Sequence, residues 1–245
     1  MDDSVSVATA QRRAELAASL TRVRERIAAA SRAAGREDAP ELIVVTKFHP
    51  ASDVRALAEL GVADVGENRD QEASAKAREL ADLDISWHFI GQLQTNKAKS
   101  VVRYADVVHS VDRPAVAAVL SKAAASEPAR EGRPPLACLI QVNLDENAEP
   151  GRGGALPSEV GGLADLVAAS PGLRLAGIMA VAPLGEDPTR AFARLAVCAA
   201  GLRNNHPHAT MVSAGMSQDL EQAIAAGATH VRIGTDVLGP RPRVL

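Results

Sequence analysis

The chain has 245 residues, 47% of them hydrophobic and 23% charged, with a formal net charge of −3. That supply of apolar residues suits one large domain, and acids and bases mixed along the chain argue against a nucleic-acid partner, which calls for a basic face. Aromatics at 2% leave no stacking platform for single strands and imply a core of Ala, Val, Leu and Ile.

Met1-Asp2-Asp3-Ser4 is acidic and no apolar run follows it, so no signal peptide is expected. No stretch approaches the roughly 18 apolar residues of a membrane span. Cys138 and Cys198 both lie in apolar surroundings and read as free thiols, and no spacing suggests a metal site. These features point to a cytoplasmic protein.

From about Ala8 to Ala34, Leu16, Leu20, Val23 and Ile27 fall at helical spacing, with arginines and glutamates on the other faces and Gly35 as a stop. This predicts an extra N-terminal amphipathic helix over residues 8–35. Eight short β-branched runs follow, at 42–46, 62–65, 87–90, 107–111, 139–142, 175–179, 210–212 and 230–233. Helical stretches separate them at 53–60, 71–80, 114–125, 157–169, 189–202 and 218–226. Such alternation calls for a parallel sheet with helices outside. Eight units can close into a barrel, and a doubly wound open sheet is the competitor. The first turn, Thr46-Lys47-Phe48-His49-Pro50, lacks a glycine-rich dinucleotide fingerprint. The expectation is therefore an α/β fold, a single (β/α)8 TIM-type barrel domain over residues 1–245. Residues 146–154 read as a long Gly-rich loop after the fifth strand.

Barrel chemistry sits at the C-terminal strand ends. In order, those positions hold Lys47, Glu67-Asn68, Gly91-Gln92, Ser110, Asn143, Met179, Ser213-Ala214-Gly215 and Gly234-Thr235. Taken alone, Lys47 would be a solvated lysine at a loop start. Emerging from a buried strand, it would be desolvated, which disfavours the ammonium and leaves an amine able to form an imine with an aldehyde. Ser213 to Ser217 lead into a helix with Asp219 and Glu221 in its first turn, and Gly234-Thr235 close the eighth strand. Small residues there let backbone N–H groups approach an anion, and barrels bind phosphate after strands seven and eight. Ser217 also reads as a plain N-cap. Val231 and Ile233 face away from Arg232, which therefore points into the barrel. A buried arginine needs an acceptor, and a barrel carboxylate or a ligand's pyridine nitrogen serves equally well.

Ordered segments across nearly the whole chain carry a resemblance. They are Val44-Val45-Thr46-Lys47, Gly66-Glu67-Asn68-Arg69-Asp70-Gln71-Glu72, residues 87–97 from Trp87 to Lys97, His109-Ser110-Val111-Asp112, Gly215-Met216-Ser217-Gln218-Asp219 and Val231-Arg232-Ile233-Gly234-Thr235. With them the chain resembles the pyridoxal-phosphate homeostasis protein family (YggS/PROSC), whose barrel is similar to the N-terminal domain of alanine racemase. The resemblance implies that Lys47 holds pyridoxal 5′-phosphate (PLP) as a Schiff base and that Arg232 faces the pyridine nitrogen. It implies that Ser213, Gly215, Gly234 and Thr235 bind the phosphate, with Asn68 and Met179 near the ring. Two departures stand out: Ala214 replaces a common Met, and 149–154 lacks a lysine that members often carry there.

A racemase needs a second base, and none is evident. Tyr104 and Cys138 lie toward the wrong end of their strands, His206 and His208 flank the turn before strand seven, and His49 before Pro50 reads as exposed. A guanidinium stays protonated, so the ring would be a poor electron sink. The expected role is a monomeric, vitamin B6-related holder that buffers PLP or delivers it to apo forms of PLP enzymes, with no catalytic residue assigned. A PLP-dependent amino-acid racemase of low activity is the alternative, and a barrel with a vestigial site acting as an interaction scaffold is a third reading.

Overall fold

Strands that are apolar on both faces must be covered on both sides, which a barrel achieves with side chains inside and helices outside. A computed structural model, which describes residues 2–146 and 153–241, shows this arrangement. The strands are β1 (Glu41–Val45), β2 (Asp64–Glu67), β3 (Ser86–Phe89), β4 (Val107–Val111), β5 (Leu136–Gln141), β6 (Leu173–Met179), β7 (Met211–Ser213) and β8 (His230–Ile233). All pair in parallel in chain order, and β8 closes on β1 through Glu41↔His230 to Val44↔Ile233. The open-sheet alternative is excluded.

The helices are α1 (Asp2–Ala33), α2 (Ala51–Glu59), α3 (Asp70–Glu79), α4 (Ala98–Tyr104), α5 (Pro114–Ser126), α6 (Val160–Ala168), α7 (Pro188–Asn205), α8 (Leu220–Ala225) and α9 (Thr235–Leu238). In α1, Leu16, Leu20, Val23 and Ile27 are all buried, as their spacing requires. That helix packs on α2, α8 and α9 and is tied down by arginines. Arg12 donates to Asp53 at 2.7 and 3.1 Å and to the Leu238 carbonyl, and Arg26 donates to Glu221, Asp236 and the Ser217 carbonyl. Of the Gly-rich loop expected at 146–154, residues 147–152 lie outside the described residues. No helix among the described residues is long and apolar enough to cross a membrane.

Two apolar layers result. A large one joins the outer strand faces to the helices, and a small separate one comprises Val107, Ala137, Leu139, Ala176 and Met179 with Met211 against them. The small layer comes from β4 to β7 and fills one side of the barrel interior. Ala176 and Met179, three apart, both belong to it because the β5–β6 register slips between Cys138 and Leu139, where Leu139 faces Gly177.

Candidate functional site

At the C-terminal end of the barrel lies a cavity of about 720 Å³, lined by Val45 and Lys47 from the first unit, Ile90, the 181–188 loop, residues 216–219, Arg232, Gly234 and Thr235. Lys47 is half-buried. It has no hydrogen-bond or ion-pair partner among the described residues. Burial, then the Arg241 charge, lower its pKa from the ordinary lysine value, with Glu67 opposing and Arg69 adding. The result is an amine more readily freed of its proton than a surface lysine.

The turn that presents Lys47 is held from below. Buried Lys76 donates to the Thr46 carbonyl at 2.8 Å and to Glu67 Oε1 and Glu72 Oε1 at 2.7 Å each. The Thr46 hydroxyl donates to the same Glu67 oxygen, and Glu72 accepts from the Phe48 N–H. Burial raises the Glu67 pKa despite the Lys76 charge, and its Oε2 is buried without a partner. Phe48 carries φ 69°, a conformation that costs a bulky residue about 1–2 kcal/mol. Its ring is stacked by the guanidinium groups of Arg69 at 5.0 Å and Arg241 at 4.4 Å. These contacts fix a strained turn beside the half-buried amine.

Arg232 is 4% exposed. It reaches the cavity from inside the barrel, as the strand alternation predicted. Its acceptors are the Ser213 hydroxyl oxygen at 2.5 Å and the Ala180 carbonyl at 2.9 Å, and it has no ion pair among the described residues. Burial lowers its pKa to about 10, so it stays charged at neutral pH. On the far side of the Gly215 turn, φ is +92° and a Cβ would meet the Ala223 Cβ at 2.7 Å, so glycine is needed for both shape and space. The Gly215 carbonyl accepts from the Arg232 N–H.

Comparison with known proteins then places the chain. The alanine racemase N-terminal domain family matches residues 18–242. A pyridoxal phosphate homeostasis protein of Corynebacterium glutamicum is 46% identical over 208 residues, covering 84% of this chain and 92% of that relative. Another, of Escherichia coli, is 40% identical over 237 residues and covers 93% and 97%. The chain belongs to the pyridoxal phosphate homeostasis protein family. Among solved structures, PipY of Synechococcus elongatus with PLP bound has a TM-score of 0.76 at 35% identity, over 91% of this chain and 100% of that one. Alanine racemase of C. glutamicum, with a TM-score of 0.66 and 15% identity over 92% of this chain and 60% of that one, shares the fold alone.

Within this family member, Lys47, Arg232, Gly234 and Thr235 of the expected set line the one cavity. Asn68, Met179, Ser213 and Gly215 stand behind its walls. The backbone of Asn68 presses on Gly91, where any Cβ would fall 2.1 Å from the Asn68 carbonyl oxygen. Met179 is buried in the interior layer, and the Ser213 hydroxyl is fully buried beneath Arg232. Several expectations need correction. Asp219, not Ser217, precedes α8, and its carboxylate accepts from the Met216 N–H, so only Glu221 lies in the first turn. His49 is buried rather than exposed: it turns away from Lys47 into a separate groove with Arg12 and Asp53, whose carboxylate lies 3.5 Å from its Nδ1. The sequence reading passed over Glu72, Lys76, His88 and His109. The i,i+4 pair Glu72/Lys76 after a strand-end glutamate was a usable signal, as were His88 and His109 at inward positions of adjacent strands.

Proposed function

We propose that this protein binds PLP as a reversible Schiff base on Lys47, and buffers it or passes it to apo forms of PLP enzymes instead of turning over amino acids. The observation that carries this reading is the placement of an amine of lowered pKa and a buried guanidinium in one cavity of about 720 Å³, a size suited to a small cofactor. When bound, the cofactor supplies an aldehyde to the amine and a phosphate to the surrounding turns. In this reading Arg232 faces the pyridine nitrogen and Gly234 and Thr235 border the phosphate, joined by Ser217 of the same cavity wall. Thr235 opens α9, so the first amides of that helix lack intrahelical acceptors. Ser213 and Gly215 contribute from behind: the hydroxyl and carbonyl they offer are already engaged by Arg232. Asn68 and Met179 shape the ring side of the site. The names of the relatives and the PLP-bound PipY structure support the cofactor.

The chemistry of the donors favours holding over turnover. A guanidinium keeps its proton, which limits the electron demand of the ring. Of the carboxylates that line the cavity with Lys47, Glu186 is held by Arg194 and Asp219 accepts from the Met216 N–H. His49 lies in another groove, and burial, with the Asp70 and Glu67 carboxylates, pushes the Tyr104 phenol far above its ordinary value. Burial likewise pushes the Cys138 thiol up to about 12. In this reading the holder acts as a monomer.

Borohydride reduction of the PLP-loaded protein should fix the cofactor on the Lys47 peptide, read by mass spectrometry, and Lys47→Ala should abolish the adduct. In parallel, the loaded protein is offered to L-amino acids and to a PLP-requiring apo-enzyme. Cofactor transfer without turnover is expected. Rapid racemisation would sink the holder reading in favour of a racemase, and no adduct at all would leave only a scaffold.

A further inference from the structure

A chain of hydrogen bonds crosses the barrel interior and ends on Arg232. Asp64 Oδ1 lies 2.9 Å from His88 Nε2, His88 Nδ1 lies 2.9 Å from His109 Nε2, and His109 Nδ1 lies 3.1 Å from Ser213 Oγ. Arg232 donates to that same Ser213 oxygen. β4 and β7 are not neighbours in the sheet, so the His109–Ser213 contact spans the interior. Asp64 opens β2 at the N-terminal face, the opposite end from the cavity.

The inventory of hydrogens gives this chain a direction. A guanidinium only donates, so Ser213 accepts from Arg232 and has one hydrogen left for His109 Nδ1. His109 then carries its proton on Nε2 and gives it to His88 Nδ1. His88 holds its own on Nε2, toward the Asp64 carboxylate. Every hydrogen has an acceptor. The reverse order leaves the Ser213 hydrogen without one, and it sets the bare Nε2 of His88 against the Asp64 carboxylate at 2.9 Å with only the longer 3.2 Å contact to the Ser86 hydroxyl to supply a hydrogen. Burial first, with the Arg232 charge adding, holds the His109 pKa well below its ordinary value, consistent with a single proton on that ring. Burial works against ionised Asp64, but the His88 hydrogen bond and charge, with His230 and Ser86, bring its pKa below the ordinary value.

We propose that Asp64, His88, His109 and Ser213 are positioning residues, a one-way hydrogen-bond relay that locks the Arg232 guanidinium in the pose it presents to the cofactor ring. This deepens the PLP-holding reading and rests on it. Arg232 is a buried cation with no ion pair among the described residues; the Asp219 carboxylate of the same cavity acts on it through space, and polarised bonds in series connect it to a second carboxylate at the far end. A filler role would be met by apolar side chains, as it is elsewhere in the same interior.

Two measurements decide it. In the cofactor-free protein, 15N shifts of the labelled histidine rings should show both His88 and His109 as Nε2–H tautomers. A proton on His109 Nδ1 would overturn the relay. In the second, His109→Leu keeps the volume but removes both bonds, and should weaken PLP binding about tenfold and move the absorbance band of the bound cofactor. His109→Gln can still accept from Ser213 and donate to His88, and should recover to within about threefold of the parent. Asp64→Ala, at the partly exposed far end, should give a smaller loss of the same kind, and stands in if the leucine variant does not fold. Folded His109→Leu and Asp64→Ala proteins with the parent's affinity and spectrum would overturn the proposal. A parent protein that takes up no PLP would instead sink the reading beneath it, and the ring-nitrogen shifts would still decide the relay.

Discussion

On the side of the interior built by β4, β5 and β6, Val107, Ala137, Leu139, Ala176 and Met179 pack on one another. On the side built by β2, β3, β7 and β8, the inward positions hold Asp64, His88, Ser213 and Arg232, bonded in series through His109 of β4. His230, two residues before Arg232, has the same inward phase. The apolar half is specified by volume and dryness. The polar half is specified by the count and direction of hydrogens, which restricts what can replace any member. A barrel whose interior were apolar throughout would be easier to pack, so the polar half is where stability has been exchanged for a fixed guanidinium at the mouth.

The comparison breaks most severely in the apolar half. Leu139 is fully buried, so Leu139→Asn loses its transfer energy and strands an amide with no partner. The expected cost is about 4 kcal/mol or more by urea denaturation, a large part of a typical total of about 5–15 kcal/mol.

Within the barrel interior, acid should act on the polar half and not on the apolar one. Burial, then the His88 charge, lower the His230 pKa to about 4, with Asp64 opposing. The folded value is below the unfolded one, so the unfolded state binds more protons between them. The stabilisation is intact above about pH 6.5 and is lost as pH falls toward about 4, up to roughly 3 kcal/mol in total. His230→Gln should flatten that limb of a stability–pH curve, leaving a residual slope of the same sign from His109 and His49, whose pKa values burial also lowers. A curve unchanged by the substitution would contradict the assignment.

Ser213→Ala is the subtler break. It leaves one Arg232 N–H and the His109 Nδ1 without a partner in a dry site, and should cost about 2 kcal/mol. Leu195→Ala outside the barrel would cost as much through a cavity, but without shifting the histidine tautomers. That difference in NMR signature separates lost packing from lost bonding.

The sequence carried the barrel further than it carried the site. Strand runs fall within about three residues of the observed elements because β-branched runs and helical stretches alternate at nearly every step along the chain. β2 sits later than expected, at Asp64–Glu67, because Gly66 and Glu67 read as loop although both pair with β3. α4 was missed because it is seven residues long and follows the polar run Gln92-Leu93-Gln94-Thr95-Asn96-Lys97. The positions of Lys47 and Arg232 were legible, the first from the strand end it occupies and the second from strand phase. The relay was not, since His109 and Ser213 stand 104 positions apart and meet only through barrel closure. His49 looked exposed because its burial depends on Arg12 of α1, which pairs with Asp53 from 41 positions away.

The smallest effect is expected at the residue with the largest consequence for binding. Lys47 is half-buried, unpaired among the described residues, and its pKa is lowered by burial first and then by Arg241. Its folded value lies below the ordinary lysine value of 10.5. Over the window just below 10.5 the unfolded chain therefore binds more protons, and stability rises with pH there. Lys47 thus gives nothing to the fold at neutral pH that its removal would forfeit. Cofactor-free Lys47→Ala should unfold within about 0.5 kcal/mol of the parent, with a flatter stability curve in the window just below 10.5. The same substitution should erase the borohydride adduct. A marked loss of stability would mean that the amine has a structural partner, and that the Lys76 clamp does not hold the turn unaided. If stability is unchanged while the adduct is lost, the amine is held ready by the polar machinery around it and contributes nothing to that machinery's own cohesion.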